Sequence, residues 1–371
     1  MSARRIYLVA STGFPNYGDE LVGARWLRYL ARTAPDAEVW LDSPSPGNSQ
    51  LLLGGLHPNV RFVDTLFRIA WAAPSEDPDD LVEFGAEAVR NPGLVPRFAL
   101  GVELLQTTDV FHVLGGGYIN SVWPRHLLLL AAGSELAASS GARVALTGAG
   151  LAPAVGVPSL MQRVLDRYAV VDVRDEMSRG IAADQRATVI GDDVLLDLDD
   201  DSYDHRDSRS VMVCAQSDHV DAGVEAVAQT VLGTLEKWGV DGSQVGYVET
   251  MPGEDRRVFE LLEPSLADIR FYPFVEVWRD GFPARRGQRW ITTRYHAHLL
   301  AAAAQAWGVA VPVKPGYNDV EHSSLAESTG WGVAEPGSVS EVVHGESGLR
   351  PSMVADMAAA KQAVADAVYA E

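Results

Sequence analysis

Two Rossmann-like α/β domains facing one another across a cleft are the fold this sequence predicts, and three observations lead to it. At 371 residues the chain exceeds what one hydrophobic core organises. Short β-rich runs alternate with helical patterns in both halves, which favours parallel sheets covered by helices on both faces. Between Asp197 and Arg209 the sequence becomes Asp-Leu-Asp-Asp-Asp-Ser-Tyr-Asp-His-Arg-Asp-Ser-Arg, has almost nothing to bury, and reads as a linker. The expected divisions are 1–198, an acidic linker 199–209, 210–345, and a terminal helical segment 346–371.

In the first half, Arg5 to Ala10 reads as a strand, Gly13 to Gly18 as a Gly/Pro/Asn loop, and Glu20 to Arg32 as a helix with an apolar face. Further strands are expected at Glu38 to Leu41, Val60 to Val63, Asp109 to Leu114, Arg143 to Thr147, Ala169 to Val173 and Thr188 to Ile190. Pro124 to Ser139 reads as a helix, and the polar, Pro-rich stretch from Trp71 to Pro96 as an inserted loop. The second half repeats the alternation. Its strands are Val211 to Ala215, Val245 to Val248, Ile269 to Tyr272, Trp290 to Thr293 and Val309 to Val313. Helices are expected at Gly223 to Trp238, Glu254 to Leu262, His296 to Trp307 with Gly308 as its C-cap, and Ser352 to Tyr369. In such folds ligands bind outside the carboxyl ends of the strands.

Composition narrows the function classes. No apolar run approaches the ~18 residues needed to cross a bilayer. Met-Ser-Ala-Arg-Arg enters a strand at once, without the apolar core of an export signal, so a cytoplasmic location is expected. The single cysteine, Cys214, lies in a strand-like run and is expected to be a buried, inert thiol. A formal net charge of −20 argues against nucleic acid as a partner. It also means that an anionic substrate must be met by cations gathered locally, which directs attention to Arg174, Arg285, Arg286, Arg289, Arg294 and Lys314.

Several motifs stand where strands end. Gly13-Phe14-Pro15-Asn16-Tyr17-Gly18-Asp19-Glu20 joins a strand to a helix, where small residues and a helix N-terminus admit an anion; a plain turn with Asp19 as N-cap is the simpler alternative. Gly115-Gly116-Gly117 follows another strand and suggests close approach by a ligand or by other backbone, although it is neither a P-loop nor a dinucleotide fingerprint. Arg174, delivered by a buried strand, offers a guanidinium fork for carboxylate or phosphate; the alternative is a surface ion pair with Asp175 or Asp172. The clearest motif is Thr293-Arg294-Tyr295-His296-Ala297-His298, at a strand-to-helix junction. There Arg294 can bind an anion while His296 serves as general acid or base. His298, two residues further along a helix, points elsewhere, which disfavours a metal pair.

Taken in order, Asn16-x-Gly18-Asp19-Glu20, Gly115-Gly116-Gly117, Arg174-Asp175-x-x-Ser178, Gly191-Asp192-Asp193, Arg294-Tyr295-His296-Ala297, and Pro312 leading to Tyr317 and Gly330 form a pattern that resembles the polysaccharide pyruvyl transferase family. The resemblance implies a GT-B-like fold and transfer of a pyruvyl group from phosphoenolpyruvate to a sugar hydroxyl pair. It places the donor on the C-terminal domain with Arg294 and His296, and the acceptor on the N-terminal domain. Arg174, Asn16, Gly18, Asp19, Gly115, Gly116, Gly117 and Lys314 become substrate-binding candidates. Phosphoenolpyruvate is then the donor, a sugar or glycoconjugate the acceptor, and neither cofactor nor metal is required; peripheral contact with a lipid-linked acceptor is compatible with this scheme. Two departures stand out. Tyr295 replaces the family's usual leucine, and the lysine that commonly follows the Pro-to-Tyr segment is missing, with Lys314 before Tyr317 as the nearby cation. A nucleotide-sugar glycosyltransferase and a non-catalytic binding protein on the same scaffold remain the alternatives.

Overall fold

Short apolar runs that can be buried on both faces become the strands of this protein, as the parallel architecture requires. A computed structural model describes residues 3–206, 208–339 and 348–370. Seven strands form one sheet: β1 (Arg5–Val9), β2 (Glu38–Asp42), β3 (Val60–Val63), β4 (Val110–Val113), β5 (Arg143–Ala149), β6 (Val170–Val173) and β7 (Thr188–Val189). Six form another: β8 (Val211–Cys214), β9 (Val245–Val248), β10 (Arg270–Tyr272), β11 (Arg289–Thr292), β12 (Trp307–Ala310) and β13 (Gly332–Val333). The orders are β3-β2-β1-β4-β5-β6-β7 and β10-β9-β8-β11-β12-β13, with parallel pairing in both. In each sheet the order of strand addition thus reverses once, between β1 and β4 and between β8 and β11. Those reversals are the switch points at which doubly wound sheets open a crevice at the strand carboxyl ends.

Contacts gather Met1–Phe14, Asp19–Asp197 and Met357–Glu371 into one unit, and Pro15–Gly18 and Leu198–Asp356 into a second. The first unit has its core around Phe67, Phe111, Leu129, Leu146 and Tyr168. The second packs Val213, Tyr247, Phe259, Ile291 and Val309. Among the described residues no helix is long and apolar enough to cross a membrane.

Several expectations need correction. The stretch expected as an inserted loop from Trp71 to Pro96 contains the helix Pro78–Arg90, capped by Asp77, whose side chain accepts from the Asp79 and Asp80 backbone N–H groups. Its buried residues Leu81, Gly85, Ala88 and Val89 are spaced for a helix, a pattern masked by the surrounding polar residues. Gly308 is not a helix cap. The helix Tyr295–Ala303 stops earlier, and Gly308 lies inside β12 opposite Trp290, where an added Cβ would come within 2.0 Å of the Trp290 carbonyl oxygen. Residues near 199–209 are tied into the second unit: Phe282 N–H donates to the Ser202 carbonyl at 3.0 Å, and Gln288 Nε2 donates to Ser208 Oγ at 2.7 Å. Asp207 and the 345/346 boundary lie outside the described residues.

The terminal helix Pro351–Tyr369 contributes the least expected feature of the first unit. Lys361 is fully buried, with Nζ at 2.5 Å from Asp172 Oδ2, 3.2 Å from Asp193 Oδ1 and 2.7 Å from the Gly191 carbonyl oxygen. Burial works against the ammonium charge, but Asp193 and Asp172 outweigh it and raise the lysine pKa. Removing one member of a buried ion cluster leaves the others uncompensated. Lys361→Met is therefore expected to cost about 3–5 kcal/mol of folding stability, read from the midpoint of a urea unfolding curve. A variant as stable as the parent would show that the cluster is not ionised.

Candidate functional site

The carboxyl end of β11, at the switch point of the second sheet, carries the strongest sequence motif. Beyond Thr292 the chain is pinned by side-chain hydroxyls: Thr292 Oγ1 accepts from Arg294 N–H at 3.0 Å, and Thr293 Oγ1 accepts from Gln216 N–H at 2.8 Å. Arg294 is the N-cap of the helix Tyr295–Ala303, in extended conformation, and its side chain is only 12% exposed. Its Nε and Nη2 donate to Asp255 Oδ1 at 3.0 and 2.6 Å, while Nη2 and Nη1 donate to Asp218 Oδ1 and Oδ2 at 2.7 and 3.4 Å. Burial opposes the guanidinium charge, and Asp255 and Asp218 more than offset it, so Arg294 is held firmly protonated.

Asp255 is wholly buried at the start of the helix Glu254–Leu262, which follows β9. Its Oδ2 accepts from Thr250 N–H, Thr250 Oγ1 and Met251 N–H at 2.7, 2.8 and 2.9 Å. Burial pushes its carboxyl upward and Arg294 pulls it back. Asp218 sits on the loop after β8, the neighbour of β11, and its side chain is 22% exposed. Neither carboxylate was singled out by sequence reasoning: Asp255 reads there as an ordinary acidic first turn, and Asp218 as a loop residue.

His296 is half-buried, two residues beyond Arg294. Its ring lies against Gly18, which is counted with the second unit; a Cβ added at Gly18 would fall 1.9 Å from Nδ1 and 2.2 Å from Cγ. Neighbouring Tyr17 is anchored by its N–H to the Thr250 carbonyl at 2.9 Å and by ring contacts with Trp278 and Phe282. The structure therefore brings Gly18 together with His296. Half-buried Asn16 precedes them, and the expected loop turns helical at Tyr17, earlier than Glu20.

The spacing sets His298 apart from His296, and the structure turns it inward. It is fully buried, stacked on Trp331, and its Nδ1 lies 3.1 Å from Nδ1 of buried His322. His322 Nε2 lies 3.0 Å from the Thr293 carbonyl, which can only accept, so Nε2 carries a proton, and His298 Nε2 lies 3.3 Å from Thr329 Oγ1. Burial and the neighbouring imidazole lower the His298 pKa well below its usual range. Lys314 pairs with Asp221 at 3.7 Å, a different carboxylate from the two that hold Arg294. Cys214 is buried and its thiol is pushed up to about 12, the inert state expected of it. Among the described residues no group of three or more His, Cys, Asp or Glu side chains is arranged for a metal ion.

In the first unit the candidates gather at the strand ends around its own switch point. Gly115, just past β4, donates its N–H to Asp193 Oδ2 at 2.9 Å, and a Cβ there would meet the Gly148 carbonyl at 2.9 Å. Close approach by protein thus accounts for the absent side chain at Gly115. Gly116 lies beside the Tyr118 ring and Asp19, and Gly117 follows half-buried. Asp19 falls in the first turn of the helix Tyr17–Thr33 and is not its N-cap. Arg174 is buried, which removes the alternative of a surface pair: Nε lies 3.6 Å from Asp175 and Nη1 3.8 Å from Asp192, while Asp172 engages Lys361. Asp193 also accepts from Trp26 Nε1 at 2.8 Å and Thr147 Oγ1 at 2.6 Å, which makes it the hub of this region.

A family model described as polysaccharide pyruvyl transferase matches residues 16–315. No curated protein matches the sequence. Solved structures of similar fold include MurG of Acinetobacter baumannii, at 10% identity and a TM-score of 0.50 over 99% of this chain and 94% of that one. A putative UDP-N-acetylglucosamine 2-epimerase from Listeria monocytogenes gives 10% identity and a TM-score of 0.51 over 99% and 91%. A MnaA–UDP co-structure from S. aureus gives 11% and 0.50 over 98% and 90%. At these identities the likeness establishes the fold, which is of GT-B type with two Rossmann-like parallel sheets.

Glu20 supplies a pH test of the first motif. Its Oε1 accepts from Gly13 N–H at 2.6 Å, and burial raises its carboxyl to about 8. Between its ordinary value of 4.5 and about 8, the folded chain keeps a proton that the unfolded chain has released. Stability is thus lost as pH rises through this window, by up to about 1.4 kcal/mol per pH unit from this group. Glu20→Gln, which imitates the protonated carboxyl, is expected to gain stability relative to the parent steadily from pH 5 to 8 in paired urea titrations. A constant difference would mean that Glu20 is ionised in the fold.

Proposed function

The chain belongs to the polysaccharide pyruvyl transferase family, and on that premise we propose that it transfers the pyruvyl group of phosphoenolpyruvate to two hydroxyls of one sugar, releasing phosphate. The observation that carries this reading is the junction after β11, where Arg294 and His296 stand at a sheet switch point with Gly18 of the first motif against the imidazole. Ketal formation asks for an anchored anion and a movable proton. Arg294 supplies the first and His296 the second.

The steps balance as follows. A proton is added to the methylene carbon of the enol, and the cation left at the adjacent carbon is attacked by the first sugar hydroxyl, which gives up its proton. Phosphate then departs with its bonding electrons, and the second hydroxyl closes the ring and loses its own proton. One proton ends on the new methyl group and one on phosphate. His296 is the group assigned to deliver the first and collect one from the hydroxyls. Acceptor recognition is assigned to the strand-end loops of the first unit, with Arg174 as a substrate-binding arginine there and Lys314 as an accessory cation of the second unit. A cytoplasmic location and a sugar or glycoconjugate acceptor, lipid-linked or free, belong to the same proposal, and no step calls for a cofactor.

One observation favours a second reading, that of a non-catalytic binding protein: Arg294 already carries two carboxylates, as a structural arginine would. Stabilisation of the fold by phosphoenolpyruvate with no phosphate release on any acceptor would support that reading.

Phosphate release from phosphoenolpyruvate, measured with a panel of pyranosides bearing free hydroxyl pairs, tests the assignment. His296→Ala and Arg294→Ala are each expected to lower turnover about 100-fold or more; undiminished release in both would defeat it. Gly18→Ala is the subtler probe. Gly18 lies in the first turn of a helix, where alanine is ordinarily favoured by about 1 kcal/mol, so a fall in turnover without loss of thermal stability is expected from the collision with His296. Full activity in this variant would separate Gly18 from the reaction.

A further inference from the structure

The two carboxylates on Arg294 are not equivalent. Asp255 is fully buried and receives five hydrogen bonds, two from Arg294 and three from Thr250 and Met251, so it is fixed. Asp218 lacks such a cage among the described residues. Its side chain is partly exposed, and it comes from the loop after β8, one of the two strands that bound the switch point. The next residue, His219, has φ of 54°, a left-handed backbone that costs a non-glycine residue on the order of 1 kcal/mol.

Geometry separates the roles further. A guanidinium presents two edges, each of which can donate to a pair of coplanar oxygens. The Nε/Nη2 edge of Arg294 is taken by the fixed Asp255, and the Nη1/Nη2 edge by Asp218. Asp218 spans its edge with both oxygens, at 2.7 and 3.4 Å, as the carboxylate or phosphate of a small substrate would.

We propose that Asp218 is a specificity-determining residue: its carboxylate occupies the outer edge of Arg294 as an internal stand-in for the substrate anion, which binds by displacing it. This rests on the reading of Arg294 as the donor-binding arginine. Displacement filters ligands, because an anion gains over Asp218 only if it restores both hydrogen bonds; a spherical anion such as chloride restores one. It also weakens the apparent affinity by the fraction of molecules in which the edge is open. Removing the carboxylate while keeping the shape lifts that restraint.

Titration of the full chain by calorimetry, with phosphoenolpyruvate, inorganic phosphate, pyruvate and UDP as separate probes, tests the exchange. Asp218→Asn is expected to bind phosphoenolpyruvate roughly threefold to fivefold more tightly than the parent, the upper scale of one partly exposed ion pair. Asp218→Glu keeps a competing carboxylate and is expected to stay within about twofold of the parent. Asp218→Ala repeats the first arm should the asparagine variant fold poorly. Tightening toward phosphate but not pyruvate assigns the edge to the phosphoryl end, and the reverse to the carboxylate; either supports the exchange. If the parent binds phosphoenolpyruvate and neither uncharged variant binds it more tightly, the exchange is overturned and the donor reading stands. If phosphoenolpyruvate binds nowhere but UDP binds the uncharged variants more tightly, the exchange stands and the donor reading falls. Absence of binding by every probe overturns both.

Discussion

The buried pair of Arg294 and Asp255 is the constraint from which the rest of the second unit's site follows. A guanidinium at the end of β11 would be expensive to bury alone, and an unpaired carboxylate beneath it equally so. Asp255 meets that cost because the loop between β9 and its helix aims two backbone N–H groups and a threonine hydroxyl at one carboxylate oxygen, leaving the other for Arg294. With the inner edge of the guanidinium held in this way, its plane and outer edge are set before any ligand arrives. Such preorganisation is what positioning and electrostatic stabilisation require. His296 inherits its place from the same junction, since it is the second residue of the helix that begins after Arg294 and Gly18 leaves room for its ring.

Much of the architecture was legible because parallel sheets are written in short buried runs. Val60–Val63 and Val245–Val248 coincide with β3 and β9, and the other expected strands differ from the observed ones mostly at their ends. The failures have physical causes. Gly308 sits beyond a helical pattern just as a cap would, yet the helix yields four residues earlier, at Ala304. The close approach of Trp290 across the sheet then makes glycine the residue that fits inside β12. The helix Pro78–Arg90 was hidden by its polar face, although Asp77-Pro78 is a helix-start signal in the sequence.

For the candidate site the division is sharper. Arg294, His296 and Arg174 were visible because strand-end arginines and histidines are rare residues in unusual places. Their carboxylate partners were not, because Asp255, Asp218 and Asp192 lie far from them in sequence and each looks ordinary in its own neighbourhood. Lys361 is the extreme case. In an Ala-rich amphipathic helix a lysine reads as a solvent-facing residue, and only the tertiary fold turns it inward to Asp172 and Asp193. Pairing of this kind depends on which strand ends the topology makes neighbours, and no local pattern encodes it.

The net charge of −20 takes on a different meaning in this light. It first suggested that scarce cations would be concentrated to attract an anion. Instead the cations at the strand ends are matched or outnumbered by acids: Arg174 by Asp175 and Asp192, Arg294 by Asp255 and Asp218, Lys361 by Asp172 and Asp193. Among these residues no bare positive field reaches outward to steer a substrate. On the proposed reading, recognition of an anion at Arg294 proceeds by exchange of one carboxylate for another negatively charged group of the same geometry. Exchange costs affinity but leaves the local charge nearly unchanged, so the buried pair beneath is undisturbed whether the outer edge holds Asp218 or a ligand. An acidic chain can accommodate an anionic substrate on those terms without first building a cationic surface.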